Sequence, residues 1–335
     1  MQTVGVIGAG SWGKNLVRTF HELDSARLKY VADSSPQTLA SIASCYHGVI
    51  PVGDYTVILD DPEVNAVVIA SPAVLHFEIA RAALLHGKHV YVEKPMTLRV
   101  EHSRELVALA DERKLTLMVG HLLMYHPCIN AIRQYILHDE IGDLLYLYSQ
   151  RLNLGKVRSD ENALLSFAPH DISVALHLIG DAPVSVSASG QCYLQKDIED
   201  VVFLTMNFRN KSMAHIHVSW LDPHKVRRTT VVGSKKMVVF DDMEPQEKVR
   251  VYDKGVDRTV DYSSYGEYLS LRNGDIFIPD IPMTEPLKLE CAHFIDCIEQ
   301  GRTPVSDGRN GLLVTQVLDA GQRSLRSGGI PVEME

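Results

Sequence analysis

A chain of 335 residues, 45% of them apolar, is long enough for two domains that each bury a core. With 33 Lys and Arg against 42 Asp and Glu its formal charge is −9, which argues against a nonspecific grip on nucleic acid or an anionic membrane and leaves room for local basic pockets only. Cys45, Cys128, Cys192, Cys291 and Cys297 form no C-x-x-C pair, an odd, scattered set that fits reduced thiols and a cytoplasmic location; no basic-then-apolar leader and no bilayer-length apolar run is present, so neither secretion nor membrane insertion is expected.

Through residues 1–121 short apolar runs alternate with helical patterns. Residues 4–7, 28–32, 66–69, 89–92 and 115–119 read as parallel strands, apolar throughout because both faces are covered. A helix is predicted to begin at Ser35-Pro36, a capping serine with proline at the first helical position, and another to cover residues 99–114. This order predicts a doubly wound parallel sheet of the Rossmann type. Residues 122–335 differ in texture. After a predicted helix at 128–138, period-2 segments at 144–152, 184–193, 201–208, 212–220, 225–232 and 237–240 predict a large, mostly antiparallel open sheet in a second, α+β domain. Helical spacing marks 169–179, 286–300 and 308–325, the last two expected to pack back onto the body.

Gly8-Ala9-Gly10-Ser11-Trp12-Gly13 follows the first predicted strand and opens a helix, the context in which G-x-G-x-x-G binds a dinucleotide. The glycines permit a tight turn and let the backbone approach the pyrophosphate, whose charge meets the helix N-terminus. Asp33 ends the second strand about 20 residues on and suits the ribose hydroxyls, with Ser34 beside it. No Arg or Lys lies between Asp33 and Leu39 to neutralise a 2′-phosphate, so the expected cofactor is NAD. The competing reading is a glycine turn with a capping acid.

Glu93-Lys94-Pro95 closes the apolar run Val90-Tyr91-Val92, at the carboxyl end of a predicted strand where open parallel sheets bind ligands. Lys94 is expected to face cofactor and substrate; otherwise it is a surface lysine finishing a strand. Ala168-Pro169-His170-Asp171 precedes an apolar helical run ending at Gly180, which predicts His170 in the first turn of a helix started by Pro169. There the helix dipole would keep the imidazole neutral, a base ready to take an alcohol's proton while a hydride leaves for nicotinamide and Lys94 orients the hydroxyl. A structural cap is the competing reading. His215 and His217 share a strand face, but no nearby Cys or carboxylate completes a ligand set, so no metal is expected and sheet surface or interface suits them better.

These motifs, with Ser71-Pro72 followed by His76, resemble over essentially the whole chain the glucose-fructose oxidoreductase, inositol dehydrogenase and rhizopine catabolism (Gfo/Idh/MocA) family. The resemblance implies a Rossmann domain joined to a larger substrate-binding α/β domain whose open sheet makes homodimers or tetramers, with Lys94 and His170 as catalytic pair. It implies cofactor contacts from Gly8, Gly10, Ser11, Trp12, Gly13, Asp33, Ser34, Ser71, Pro72, His76, Glu93 and Lys94. One departure is Ser166, where the family often has an aspartate four residues before the histidine. Either His170 acts with Lys94 alone, or Asp171 takes part of the orienting role.

Residues 151–162 place Arg151, Asn153, Lys156, Arg158 and Asn162 near the expected pocket, groups suited to phosphates and hydroxyls. With Gly120-His121, Tyr125-His126-Pro127, Glu285-Pro286-Leu287 and His293-Phe294, this stretch is similar to the subgroup that oxidises the 3-hydroxyl of nucleotide-linked amino sugars. The likeness implies a UDP-linked amino sugar as substrate. The neutral UDP-N-acetylglucosamine is favoured over its uronic acid, because no separate acid-recognising motif is present and Ser166 replaces the aspartate. Its product would feed 3-amino sugar synthesis for lipid A or a surface glycan. Implied substrate contacts are Lys94, His121, Tyr148, Arg151, Asn153, Arg158, Asn162 and His170. A free-sugar or inositol dehydrogenase is the nearest alternative, and a non-catalytic NAD-binding regulator the alternative of another class.

Overall fold

The computed structural model describes residues 1–155, 157–261 and 266–334. In chain order the first elements are β1 (Gln2–Ile7), α1 (Gly13–Glu22), β2 (Ala26–Ala32), α2 (Pro36–Cys45), β3 (Ile50–Val52), α3 (Thr56–Asp60), β4 (Ala66–Ile69), α4 (His76–Leu85), β5 (His89–Glu93), α5 (Val100–Arg113) and β6 (Leu117–Gly120). There follow α6 (Pro127–Leu137), β7 (Leu144–Leu152), α7 (Ala163–Ile179), β8 (Pro183–Gln191), β9 (Val201–Phe208), β10 (Met213–Ser219), β11 (Val226–Gly233), β12 (Met237–Asp241), β13 (Val249–Asp261), β14 (Gly266–Phe277), α8 (Pro286–Gln300), α9 (Gly308–Arg326) and β15 (Val332–Glu333). They form two compact units, Met1–Tyr125 with Thr284–Gln316, and His126–Met283 with Val317–Glu335.

In the first unit six parallel strands lie in the order β3-β2-β1-β4-β5-β6, the doubly wound order whose topological switch falls between β1 and β4. Strand alternation divides its apolar residues between two cores. Val4, Val6, Ala66, Val68, Tyr91 and Met118 face α1 and α8, joining Leu16, Phe20, Leu287 and Phe294. Ile7, Val67, Ile69, Val90, Val92 and Val119 face α3, α4 and α5, joining Ile58, Ile79, Leu84 and Leu106. Because both faces are buried, the strands read as unbroken apolar runs. Ser35 caps α2 by accepting from the Thr38 N–H, with Pro36 at the first helical position, as its sequence predicts.

The second unit is built on a nine-stranded sheet in the order β14-β13-β12-β11-β7-β10-β9-β8-β15. Every pairing is antiparallel except β7 with β10. Ala214, Ile216 and Val218 on β10, with Val202, Leu204 and Met206 on β9, make a fully buried face on which α7 packs. Their alternate neighbours Met213, Phe203, Tyr146 and Tyr148 form the other, half-exposed face. β13 and β14, a long hairpin, are absent from the sequence expectation, since Arg250, Asp253, Lys254 and Arg272 break any apolar period there. Among the described residues no helix is long and apolar enough to cross a membrane.

Candidate active site

In the first unit, residues expected to touch the cofactor gather at the carboxyl ends of β1, β2, β4 and β5, with His121 just beyond β6. The three fingerprint glycines have separate reasons to lack a side chain. Gly8 has φ +93, and a Cβ there would stand 2.7 Å from the Ser71 nitrogen; one on Gly13 would stand 2.1 Å from the Gly8 carbonyl oxygen. A Cβ on Gly10 meets nothing within 4 Å, so the turn and helix need Gly8 and Gly13, while Gly10 leaves open the approach a pyrophosphate requires. Asp33 accepts from the Ala9 and Ser35 N–H groups, each at 2.8 Å, which fixes its carboxylate beside the turn with lone pairs left for hydroxyl donors. Buried polar atoms without partners add to the fit. The Ser71 hydroxyl and both ring nitrogens of His121 have no hydrogen-bond partner among the described residues.

Glu93 is buried at the end of β5, accepting from Trp12 Nε1 at 2.6 Å, from the Lys94 N–H at 3.2 Å and from the Tyr91 hydroxyl at 3.3 Å. Burial pushes its pKa up to about 7 against the opposing pull of Trp12 and Lys94. This bond ties Trp12 of the fingerprint to the Glu-Lys-Pro motif; Lys94-Pro95 is a cis peptide. His76 holds the next loop, its Nδ1 2.8 Å from the Pro95 carbonyl and its Nε2 2.9 Å from that of Ser71. Burial lowers the His76 pKa, and the two carbonyls raise it. His121, 1% exposed, is driven down to about 3, first by burial and then by the positive charge of Lys94, so its ring is neutral at ordinary pH.

The second unit corrects the expected position of His170. α7 starts six residues before Pro169: Asn162 is its cap, accepting from the Leu165 N–H at 3.1 Å, and Pro169 lies inside the helix. His170 is therefore at mid-helix, beyond reach of the N-terminal dipole that would favour its neutral form. Leu164 and Leu165 already carry the apolar pattern, and the buried apolar face of α7 outweighs the lost hydrogen bond and ring crowding that an internal proline costs. Ser166 stands one turn before His170.

Asp171, the alternative orienting acid, is occupied. It accepts from Arg151 Nε at 2.6 Å and Nη2 at 3.4 Å, and from the Ser149 hydroxyl, in a nearly fully buried setting. Arg151 is thus held in a forked ion pair inside the unit. Asn162 is similarly engaged, donating to Glu199 at 2.6 Å and accepting from Gln322 at 3.1 Å as well as capping α7. Arg158 pairs with Glu161 at 2.9 Å. The Asn153 side chain folds over Gly155, and Lys156 lies outside the described residues. Tyr148 is separated from this group: alternation along β7 sends Ser149 and Arg151 toward α7, and Tyr148 to the opposite face, where it stacks on Tyr146 at 6.4 Å.

His215 and His217 lie on that same outer face, stacked on Phe203 at 6.1 and 4.2 Å. No group of three or more His, Cys, Asp or Glu among the described residues could hold a metal ion. Cys128, Cys291 and Cys297 are buried free thiols, Cys45 and Cys192 exposed ones. Of the residues buried around Glu93, sequence reasoning missed Glu290, and it named Tyr91 only as a strand residue and Gly120 only within the likeness to the sugar-nucleotide subgroup. One signal was available: Glu290 interrupts the apolar stripe Leu287, Cys291, Phe294 and Ile295 of α8.

Residues 2–121 match the oxidoreductase family described as an NAD-binding Rossmann fold, and residues 129–239 match the GFO/IDH/MocA C-terminal domain. UDP-N-acetylglucosamine 3-dehydrogenase of Acidithiobacillus ferrooxidans is 31% identical over 242 residues, 71% of this chain and 73% of that protein. Its solved structure superposes with a TM-score of 0.80 at 26% identity, covering 97% of this chain and 98% of its own. Inositol 2-dehydrogenase of Rhizobium meliloti is 26% identical over 96% of both chains. The chain belongs to the Gfo/Idh/MocA family of NAD-binding oxidoreductases.

Proposed function

We propose that the protein is an NAD-dependent dehydrogenase that oxidises the 3-hydroxyl of a UDP-linked amino sugar, UDP-N-acetylglucosamine. The observation that carries the reaction class is the coupling of Lys94 to the cofactor turn: the lysine follows directly on Glu93, whose carboxylate holds the fingerprint indole of Trp12. NAD, when bound, supplies the hydride acceptor. Lys94 donates a hydrogen bond to the reacting hydroxyl and stabilises the oxyanion as it develops, while His170 takes the proton. The neutral ring of His121 offers a further donor or acceptor to the substrate. With Asp171 engaged by Arg151 and serine at position 166, neither of those positions supplies His170 with a carboxylate relay. Support for the sugar nucleotide comes from the 31%-identical 3-dehydrogenase.

A second reading, an inositol or free-sugar dehydrogenase, draws support from the Arg151–Asp171 pair, which withdraws one cation from any diphosphate. Absorbance of NADH after incubation with NAD and either UDP-N-acetylglucosamine or myo-inositol separates the two. The proposed enzyme forms NADH with the sugar nucleotide; His170→Ala lowers kcat/KM by roughly 10²–10⁴-fold, and Lys94→Ala abolishes turnover. Oxidation of inositol alone would overturn the substrate. A large gain in activity on Ser166→Asp would overturn the relay-free site. The outer sheet face bearing Tyr146, Tyr148, Phe203 and Met213 is proposed as the homo-oligomer surface, and a monomer in light scattering at assay concentration would refute it.

A further inference from the structure

The interior of the first unit holds two carboxyl groups, and only Glu93 has a place in the site as described. Glu290 on α8 is fully buried, and neither of its oxygens has a hydrogen-bond partner of good geometry among the described residues. Beyond the burial that chiefly raises its pKa, its company is Glu93, whose charge raises it further, and the Tyr91 hydroxyl, which lies toward both carboxyls and lowers it, both on β5. The other titratable groups it acts on are Tyr125, just after β6, and Cys291 on its own helix. Arg18 on α1 is engaged by Glu285 and Glu22, so it does not neutralise this cluster.

A carboxylate buried without a cation or donor is costly, and a second carboxyl close by raises that cost. The protonated acid removes the problem and adds a donor. Tyr91 is placed to use it. Its hydroxyl gives its single hydrogen to Glu93 Oε1 at 3.3 Å, so its oxygen must take any further hydrogen bond as an acceptor. Space for this arrangement exists because residue 120 is glycine: a Cβ there would stand 2.7 Å from the Tyr91 hydroxyl and 2.9 Å from Glu93 Oε1.

We propose that Glu290 is a positioning residue for the cofactor turn: as a carboxylic acid it donates to Tyr91, which donates to ionised Glu93, which holds Trp12 and the Lys94 backbone. Each donor in such a chain polarises the next, so loss of an inner member weakens the outer bonds. The proposal rests on NAD binding by the first unit, and its test is independent of which substrate is oxidised.

NAD binding is followed by calorimetry from pH 6 to 9 for wild type, Tyr91→Phe, Glu290→Gln, Glu290→Leu and the double variant Glu290→Leu/Tyr91→Phe. Burial holds Glu93 near pH 7, so binding weakens below that pH as Glu93 takes up a proton. Tyr91→Phe should move this acid limb upward, Glu290→Leu should move it the same way by less, and the double variant should move it no further than Tyr91→Phe. Glu290→Gln, whose amide donates as the acid does, should leave the limb in place. Displacement of the limb by Glu290→Gln as large as that of Glu290→Leu, or additive shifts in the double variant, overturns the proposal. If Glu290→Leu fails to fold, infrared difference spectra of wild type minus Glu290→Gln at neutral pH decide: loss of a protonated-carboxyl C=O band supports the proposal, and loss of a carboxylate band refutes it.

Discussion

Arg151→Ala separates a structural role from substrate contact. The Arg151 side chain is 13% exposed and that of Asp171 4%, and removing the arginine leaves the Ser149 hydroxyl as the side-chain donor to Asp171 among the described residues. Deleting one partner of a buried pair costs about 3–5 kcal/mol, because the other charge stays desolvated. For a unit of this size, at about 2–4 °C per kcal/mol, that corresponds to a fall in melting temperature of roughly 6–20 °C. Near-ultraviolet circular dichroism during a thermal ramp, with NAD absent, is the assay. Arg151→Met/Asp171→Leu, which removes both charges and keeps the volume, should regain most of the loss. If Arg151→Ala melts within about 2 °C of wild type, a difference of under 1 kcal/mol, while KM for the sugar rises, the pair is not structural and the arginine belongs to the substrate.

The fingerprint glycines should part company on substitution. Gly10→Ala, opening onto free space, should leave melting unchanged while NAD affinity falls by more than about tenfold, or 1.4 kcal/mol; Gly13→Ala, which drives a methyl into the Gly8 carbonyl, should lower both. Equal melting of the two variants would contradict the geometry. His177, pushed down to about 4 first by burial and then by Arg133, binds fewer protons folded than unfolded once the pH drops below 6.5. Its contribution is therefore complete above that pH and is lost toward pH 4. Glu93, raised to about 7, acts in the opposite sense between pH 4.5 and 7, so the variant must be compared with wild type at each pH. Urea unfolding should show His177→Phe gaining about 1.4 kcal/mol on wild type per unit fall in pH between 6.5 and 4; a constant difference would refute the assignment.

The parallel sheet was legible because burial on both faces leaves apolar runs such as Val90-Tyr91-Val92 between helical patterns, and β9 through its strict alternation. β3 escaped notice at three residues including Pro51, and β13 and β14 because charged side chains obscure any period. At the site, the glycine fingerprint and Asp33 carry their spacing in the sequence. His170 was displaced from its expected first turn because Asn162, a better cap, lay seven residues upstream of Pro169, whose apparent starting role was misleading. Long-range partners leave no local trace: nothing in the spacing of Arg151 and Asp171, or of Trp12 and Glu93, announces that they meet.

Leu287, Cys291, Phe294 and Ile295 of α8 supply part of the core against which α1 and Tyr91 pack. A ribosome therefore completes the entire nucleotide fingerprint long before it makes the side chains that close the apolar face beneath it. Until residue 300 or so has emerged, Leu16, Phe20 and Tyr91 lack those neighbours, and a fragment ending at residue 121 would retain every glycine of the turn yet present a wet, adhesive surface. Competence to hold NAD is thus delayed until α8 has emerged.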